Sequence, residues 1–147
     1  MTFLSNNQDL IIGDNYTRGM LSDLLNIKYP RDEIERGIYK PKNCSSVLLF
    51  FTIQNPWGHY YARISDSEIV TNYSAISVLK EYQKNNELLL FIRDDYESGF
   101  DYLGQCQPTE QHKDQRGFPY YGLRLLEVKF SEVKGVNVPE ANGISNT

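Results

Sequence analysis

Two cysteines and two histidines in a chain of 147 residues are too few for several chemistries at once. Cys44 and Cys106 cannot build a disulfide framework, and each reads as a small buried or strand residue. Together with His59 and His112 they are the ligand types of a zinc site, but no closely spaced Cys-x-x-Cys or His-x-x-x-His pair anchors one. General acid–base chemistry has few obvious hands. No Gly-rich phosphate loop is present, and no Ser or Cys sits in a nucleophile elbow. The chain does not open on a basic-then-apolar leader, and its longest apolar runs, 47–51 and 88–92, fall far short of a membrane span. These absences lead to the expectation of a cytoplasmic protein with no membrane segment, cofactor or bound metal. Positive charge is lacking too. The net charge is −4, with +1 on residues 1–64 and −5 on residues 65–147. Phosphate neutralisation supplies the affinity of proteins that coat nucleic acid non-specifically, so a chain this acidic is not one of them. A pocket that reads one nucleotide remains open to it.

What the chain has is a core and a bias toward tyrosine. Its apolar fraction is 40%, and 11 Tyr stand against 7 Phe and 1 Trp. This excludes general disorder, and the length suits one compact domain. Tyrosine combines an apolar ring with a hydroxyl, which suits half-buried sheets and also pockets that stack and hydrogen-bond a planar group.

The stretch LLLFIRDDYESGFDYLG, residues 88–104, organises the rest. Its first five residues form an apolar run typical of a strand buried on both faces. A charged, Gly-containing turn follows, and residues 100–103 resume with the alternation of a half-buried strand, which predicts a central hairpin. Residues 47–53 form a second apolar run of central-strand type, and residues 54–58 predict a turn that pairs it with 59–64. Thr17 is the expected N-cap of a helix carrying Met20, Leu21, Leu24 and Leu25, and Ser74 the expected cap of a helix over 75–84. A long last strand is expected over 120–130. The resulting division is a single domain over 1–130 and a flexible tail over 131–147.

Two constellations bear on chemistry. In the first, Glu127 and Lys129 are two apart, so on a strand they would face one way. With Asp94 or Asp95 they would make a metal-dependent nuclease of the Asp…Glu-x-Lys type. In the second, Trp57, Tyr60 and Tyr61 lie beside a turn with Arg63, while Arg116 and Tyr120 lie at the mouth of the last strand. Brought to one end of the fold, the rings could sandwich a planar base. The base-binding candidates are Trp57, Tyr60, Tyr61 and Tyr120. Arg18, Arg63 and Arg116 are the phosphate-binding candidates, because a guanidinium fork matches phosphate oxygens.

Tyr16-Thr17-Arg18, Gly37-Ile38-Tyr39, Leu90-Phe91-Ile92-Arg93, Phe100-Asp101-Tyr102-Leu103-Gly104 and Gly117-Phe118-Pro119 occur in this order across residues 13–130. In order and spacing the chain resembles a domain of unknown function at the C-terminus of bacterial restriction enzymes that fuse a phospholipase-D-type nuclease to a helicase. The resemblance implies an α+β fold, namely a curved, partly closed, mostly antiparallel β-barrel of SRA/PUA-like type with two or three peripheral helices. It further implies a non-enzymatic reader of a modified, flipped base in methylated DNA, linked to restriction-modification and defence and working with a helicase or nuclease partner. The Trp-Ser-Gln-like segment of that family has no counterpart between 64 and 83. A module that docks a helicase or nuclease without touching DNA is the remaining alternative. The enzymatic rival separates from the reader in one measurement. Glu127→Ala abolishes Mg-dependent DNA cleavage if the chain is a nuclease, and leaves DNA affinity nearly unchanged if it is a reader.

Overall fold

The computed structural model describes residues 2–28 and 30–145. Its centre is a parallel pair, β3 (Ser46–Thr52) and β6 (Glu87–Arg93), joined in register from Ser46↔Glu87 to Thr52↔Arg93. Side chains alternate across a strand, and both runs are apolar at every position from Val47 to Phe51 and from Leu88 to Ile92. Each strand therefore feeds two cores at once. Val47, Leu49, Phe51, Leu88, Leu90 and Ile92 face one core. Leu48, Phe50, Leu89 and Phe91 face the other, where helices α1 (Arg18–Leu25) and α2 (Pro30–Glu35) supply Leu21, Leu25 and Ile34. Thr17 caps α1 as its side chain predicts, accepting a hydrogen bond from Met20 N at 3.2 Å.

The remaining strands extend and bend this pair. The expected hairpin is present: β7 (Phe100–Pro108) runs antiparallel to β6. The pairing steps from Leu90↔Gly104 to Phe91↔Tyr102, so β7 carries one extra residue, and Gly104 takes a φ of +82° there. A bulge of this kind sharpens the local twist and turns β7 toward its next partner. That partner is β9 (Pro119–Leu125), which also pairs with β5 (Glu68–Thr71) and β8 (His112–Asp114). β5 pairs with β4 (Tyr61–Arg63). On the other side β2 (Ile38–Tyr39) borders β3, while β1 (Asn15–Tyr16) adds to the start of β7. A one-turn helix, α3 (Leu79–Tyr82), follows a 3-10 turn over Ser74–Val78. The fold is thus α+β, with one mixed sheet and few helices.

Several expectations change. Residues 47–53 and 59–64 do not form a hairpin: β3 takes β6 and β2 as neighbours, and β4 takes β5. An apolar strand satisfied on both faces and both edges leaves no edge for β4. The sheet curls so that its second half covers the first, and Phe51 of β3 stacks on Tyr61 of β4 at 4.4 Å across the interior. Its ladder stays open, however. Among the described residues no backbone bond joins β2 to β4, and the gap is spanned by the Tyr73 hydroxyl donating to Arg36 O at 2.9 Å. The strand expected over 120–130 is β9, which ends at Leu125. Of the tail expected over 131–147, residues 146–147 lie outside the described residues, and 131–145 are not loose, since Val133 and Val138 enter the core beside Phe130 and β10 (Ile144–Ser145) pairs with β8. No helix among the described residues is long and apolar enough to cross a membrane.

Burial on both faces makes the central pair the point of greatest sensitivity. Phe91, fully buried against Phe50 and Tyr102, loses about 3–5 kcal/mol on Phe91→Ala. Leu126→Ala, at a residue 49% exposed, changes stability by no more than about 0.5 kcal/mol. Urea unfolding of both variants measures the contrast.

Candidate functional site

The two parallel strands end side by side at Thr52 and Arg93, and the loops that follow them, 53–60 and 94–99, meet over that edge. Sites in sheets with parallel strands favour this carboxyl edge, because the loops leaving it can diverge and carry side chains free of sheet constraints. Arg93 is only 3% exposed. Its Nε donates to Thr52 Oγ1 at 2.9 Å, and its guanidinium lies 4.4 Å from the Phe100 ring centre and 4.9 Å from that of Tyr96. Among the described residues no carboxylate reaches ion-pair distance of it. A buried cation normally has such a partner. Burial first, then the positive charge of Arg18, hold the Arg93 pKa below the usual guanidinium range, with Tyr96, Glu35 and Asp95 acting the other way. Arg18, just inside α1, makes a loose pair with Glu35 of α2 at 3.7 Å. Its Nε and the Tyr96 hydroxyl are both buried without a hydrogen-bond partner.

The aromatic residues are arranged by Asn55. Its Nδ2 donates to Thr52 O and His59 O, both at 2.9 Å, and its Oδ1 accepts from Trp57 N and His59 N, both at 3.1 Å. This side-chain brace replaces backbone pairing in the loop and holds Trp57 outward, 48% exposed. Trp57 meets Tyr96 edge-on, with ring centres 5.5 Å apart and planes at 88°. Behind it His59 stacks on Tyr73 at 4.0 Å. Burial lowers the His59 pKa, favouring the neutral ring. The space enclosed by Glu35, Gly37, Thr52, Asn55, Trp57 and Tyr73 is about 10 Å³, room for one water molecule. The rings already pack on one another, so the open surface for a planar ligand is the outer side of Trp57.

The seven residues singled out from sequence do not come together in one place. Trp57 and Arg18 belong to the edge just described. Tyr61 points inward from β4 onto Phe51 and is buried, its hydroxyl pKa raised mainly by that burial, so it presents no free ring. Tyr60, its neighbour, turns to the opposite side and meets Tyr120 edge-on at 6.0 Å. Arg116 is exposed in the β8–β9 turn, over Phe118 and 3.9 Å from Asp114. Arg63 is elsewhere again, 3.5 Å from Glu140 beside an open cleft of about 380 Å³. The site residues not singled out are Arg93, Tyr96, His59, Tyr73 and Glu35. Arg93 closes an apolar strand, a position that reads in sequence as a solvent-facing strand end, so its burial had no local signal. The His59–Tyr73 stack had none, since it depends on how the open sheet ends meet.

The other polar constellations are structural. Glu68 Oε2 accepts from Thr109 Oγ1 at 2.7 Å and lies 2.9 Å from His112 Nε2, pinning β5 to the segment around β8. Gly122 is required beneath them, since a Cβ there would come within 2.0 Å of Thr109 Oγ1. Glu127 and Lys129 lie beyond the end of β9, so strand alternation does not align them, and Glu127 Oε2 accepts from Gln105 N at 2.7 Å. Among the described residues no three His, Cys, Asp or Glu side chains cluster as a metal site would require. Cys44 and Cys106 are free thiols, and burial pushes the Cys106 thiol up to about 12.

The depressed His59 pKa has a consequence for stability. As pH falls below the ordinary value near 6.5, the unfolded chain takes up a proton that the folded chain still refuses, so stability falls until the folded pKa is reached. Urea midpoints measured at about pH 7.5 and pH 5.5 are expected to drop more in the wild type than in His59→Phe, which lacks this contribution. No family model and no curated protein matches the chain.

Proposed function

We propose that the chain is a non-enzymatic nucleic-acid reader that takes up a modified base against Trp57. The observation that carries this reading is one exposed indole, braced by Asn55 and edged by Tyr96, beside two guanidiniums at the carboxyl edge of the parallel strands. A planar base laid on an exposed tryptophan takes its face out of water, and base–aromatic stacking contributes about 1–3 kcal/mol per base. The acidic net charge fits a local pocket better than a charged groove, because one stacked base with one or two phosphate contacts needs little long-range attraction. A flipped base is favoured over a stacked one, since Trp57 projects from a loop and offers its face to a single ring.

The finer architecture belongs to the same proposal. The sheet folded over its own interior, with helices outside, is what an SRA/PUA-like domain would need, and side chains rather than backbone bonds would complete its closure at Tyr73 and Arg36. Reading modified DNA for a restriction system with a helicase or nuclease partner is the role we infer from the sequence resemblance. Tyr60 and Tyr120, on a separate patch, would flank the nucleic acid rather than enclose the base.

Fluorescence anisotropy of short matched duplexes, carrying cytosine or 5-methylcytosine at fixed moderate salt, tests the proposal. The modified duplex is expected to bind more tightly, and Trp57→Ala to weaken it by roughly ten- to a hundredfold. Equal affinity for the two duplexes, or affinity indifferent to Trp57, would sink it.

A further inference from the structure

We propose that Arg93 and Arg18 form a phosphate-binding subsite beneath Tyr96, which takes one phosphate of the nucleic-acid ligand while its base lies on Trp57. The proposal rests on the reader function for the identity of the ligand, and on geometry for the site. Arg93 is a charged group 3% exposed, held by one hydroxyl and two ring faces, with no carboxylate at ion-pair distance among the described residues. Uncompensated, such a charge is costly. An anion that reaches it recovers that cost, and a guanidinium gives a phosphate two parallel donors.

The surroundings say how an anion would arrive. Of the two rings on Arg93, Phe100 is fixed in the core beneath the helices, with its centre 5.3 Å from that of Phe50. Tyr96 is different. It belongs to the polar loop 94–99, and its buried hydroxyl makes no hydrogen bond, so displacing it breaks none there. Tyr96 is therefore the movable cover. Arg18 is brought to this edge by its contact with Glu35, which lines the small space under Trp57 together with Thr52, and its buried Nε has no acceptor, so it stands ready as the second donor.

Two carboxylates also face the subsite. Asp95 is occupied by its own turn, accepting from Glu97 N, Ser98 N and Ser98 Oγ. Glu35 is the group an incoming phosphate must displace, since its contact with Arg18 is a loose 3.7 Å pair. The geometry thus makes Glu35 an internal competitor, and its neutralisation should tighten phosphate binding.

Trp57 is the chain's one tryptophan and touches the cover residue Tyr96, so its fluorescence reports on the subsite directly. The experiment titrates the protein, at constant salt, with deoxycytidine, with dCMP, and with a short oligodeoxynucleotide lacking terminal phosphates. The dCMP is expected to bind roughly tenfold more tightly than deoxycytidine, as one charge-assisted contact gives. Arg93→Lys and Arg18→Gln are expected to remove most of that difference, and Glu35→Gln to strengthen dCMP binding by about two- to fivefold. Because Arg93 is buried its variant is checked for folding by urea midpoint, and the half-exposed Arg18 and Glu35 variants carry the test if it fails. An oligonucleotide as effective as dCMP identifies a backbone phosphodiester as the ligand group, whereas dCMP alone identifies a terminal phosphate. Equal affinity for dCMP and deoxycytidine, no response to any phosphate-bearing probe, or no effect of Glu35→Gln overturns the subsite. Phosphate-dependent binding without discrimination between duplexes would keep the subsite and sink the reader function. Discrimination between duplexes at an overall affinity that Arg93→Lys, Arg18→Gln and Glu35→Gln all leave unchanged would do the reverse.

Discussion

The parallel pairing of β3 with β6 is the constraint on which the rest depends. A parallel pair cannot be closed by a tight turn, so the chain must leave β3, cross over, and return before β6 can form. The 34 intervening residues, 53–86, are spent on loop 53–60, β4, β5 and α3. Both strands are apolar on both faces, so two layers must cover them. The helices supply one, and the crossover and β9 supply the other by bending the sheet back over itself. The site is a by-product of the same constraint. Two parallel strands ending in register place Thr52 and Arg93 side by side, and send two loops out from one edge.

Arg93 shows how local sequence and tertiary packing divide the work. In a strand run of Leu-Leu-Leu-Phe-Ile its position after the last apolar residue reads as a strand end meeting solvent. The fold instead covers it with rings from the next turn and the next strand, leaving one hydrogen bond to the neighbouring strand end. A guanidinium tolerates this better than an ammonium because its charge is delocalised and it stacks on aromatic faces. That tolerance is partial. Charged groups held in such costly surroundings concentrate at functional sites.

What was legible in the sequence follows from the range of the forces involved. The two buried strands, the β6–β7 hairpin and the Thr17 cap were readable, because each is set by residues within one element or one turn of each other. The partner of β3 was not. An apolar run shows that a strand is buried on both faces, but nothing in it says whether the next run along the chain or one 40 residues away lies beside it. The same limit hid the role of residues 130–145. Phe130, Val133 and Val138 are too sparse to show a period, yet each fills a place in a core built by strands far away in sequence. Among the site candidates, Trp57 and Arg18 fell together, while Tyr60 and Tyr61 parted to opposite sides because adjacent residues in extended chain must.

The closed state of the aromatic cluster bears on affinity. His59 on Tyr73, Trp57 against Tyr96, and Tyr96 on Arg93 satisfy one another when no ligand is present. On the proposed reading a base and its phosphate would replace these contacts, so the net gain would be the difference between two stacked arrangements rather than the full value of one. The replacement is favourable only where the ligand brings something the protein lacks. The rings are already paired with rings. The guanidiniums are not paired with a full complement of acceptors: Arg18 Nε has none, and Arg93 has one neutral hydroxyl. On the proposed reading, selectivity at this edge would reside first in the negative charge of the ligand and only then in the shape of its base. On the proposed reading an acidic chain gains from that order, because a weak long-range field would keep ordinary duplex away, while a single phosphate admitted beneath Tyr96 would meet Arg93, which has no carboxylate partner among the described residues, and Arg18, held only by the loose pair with Glu35.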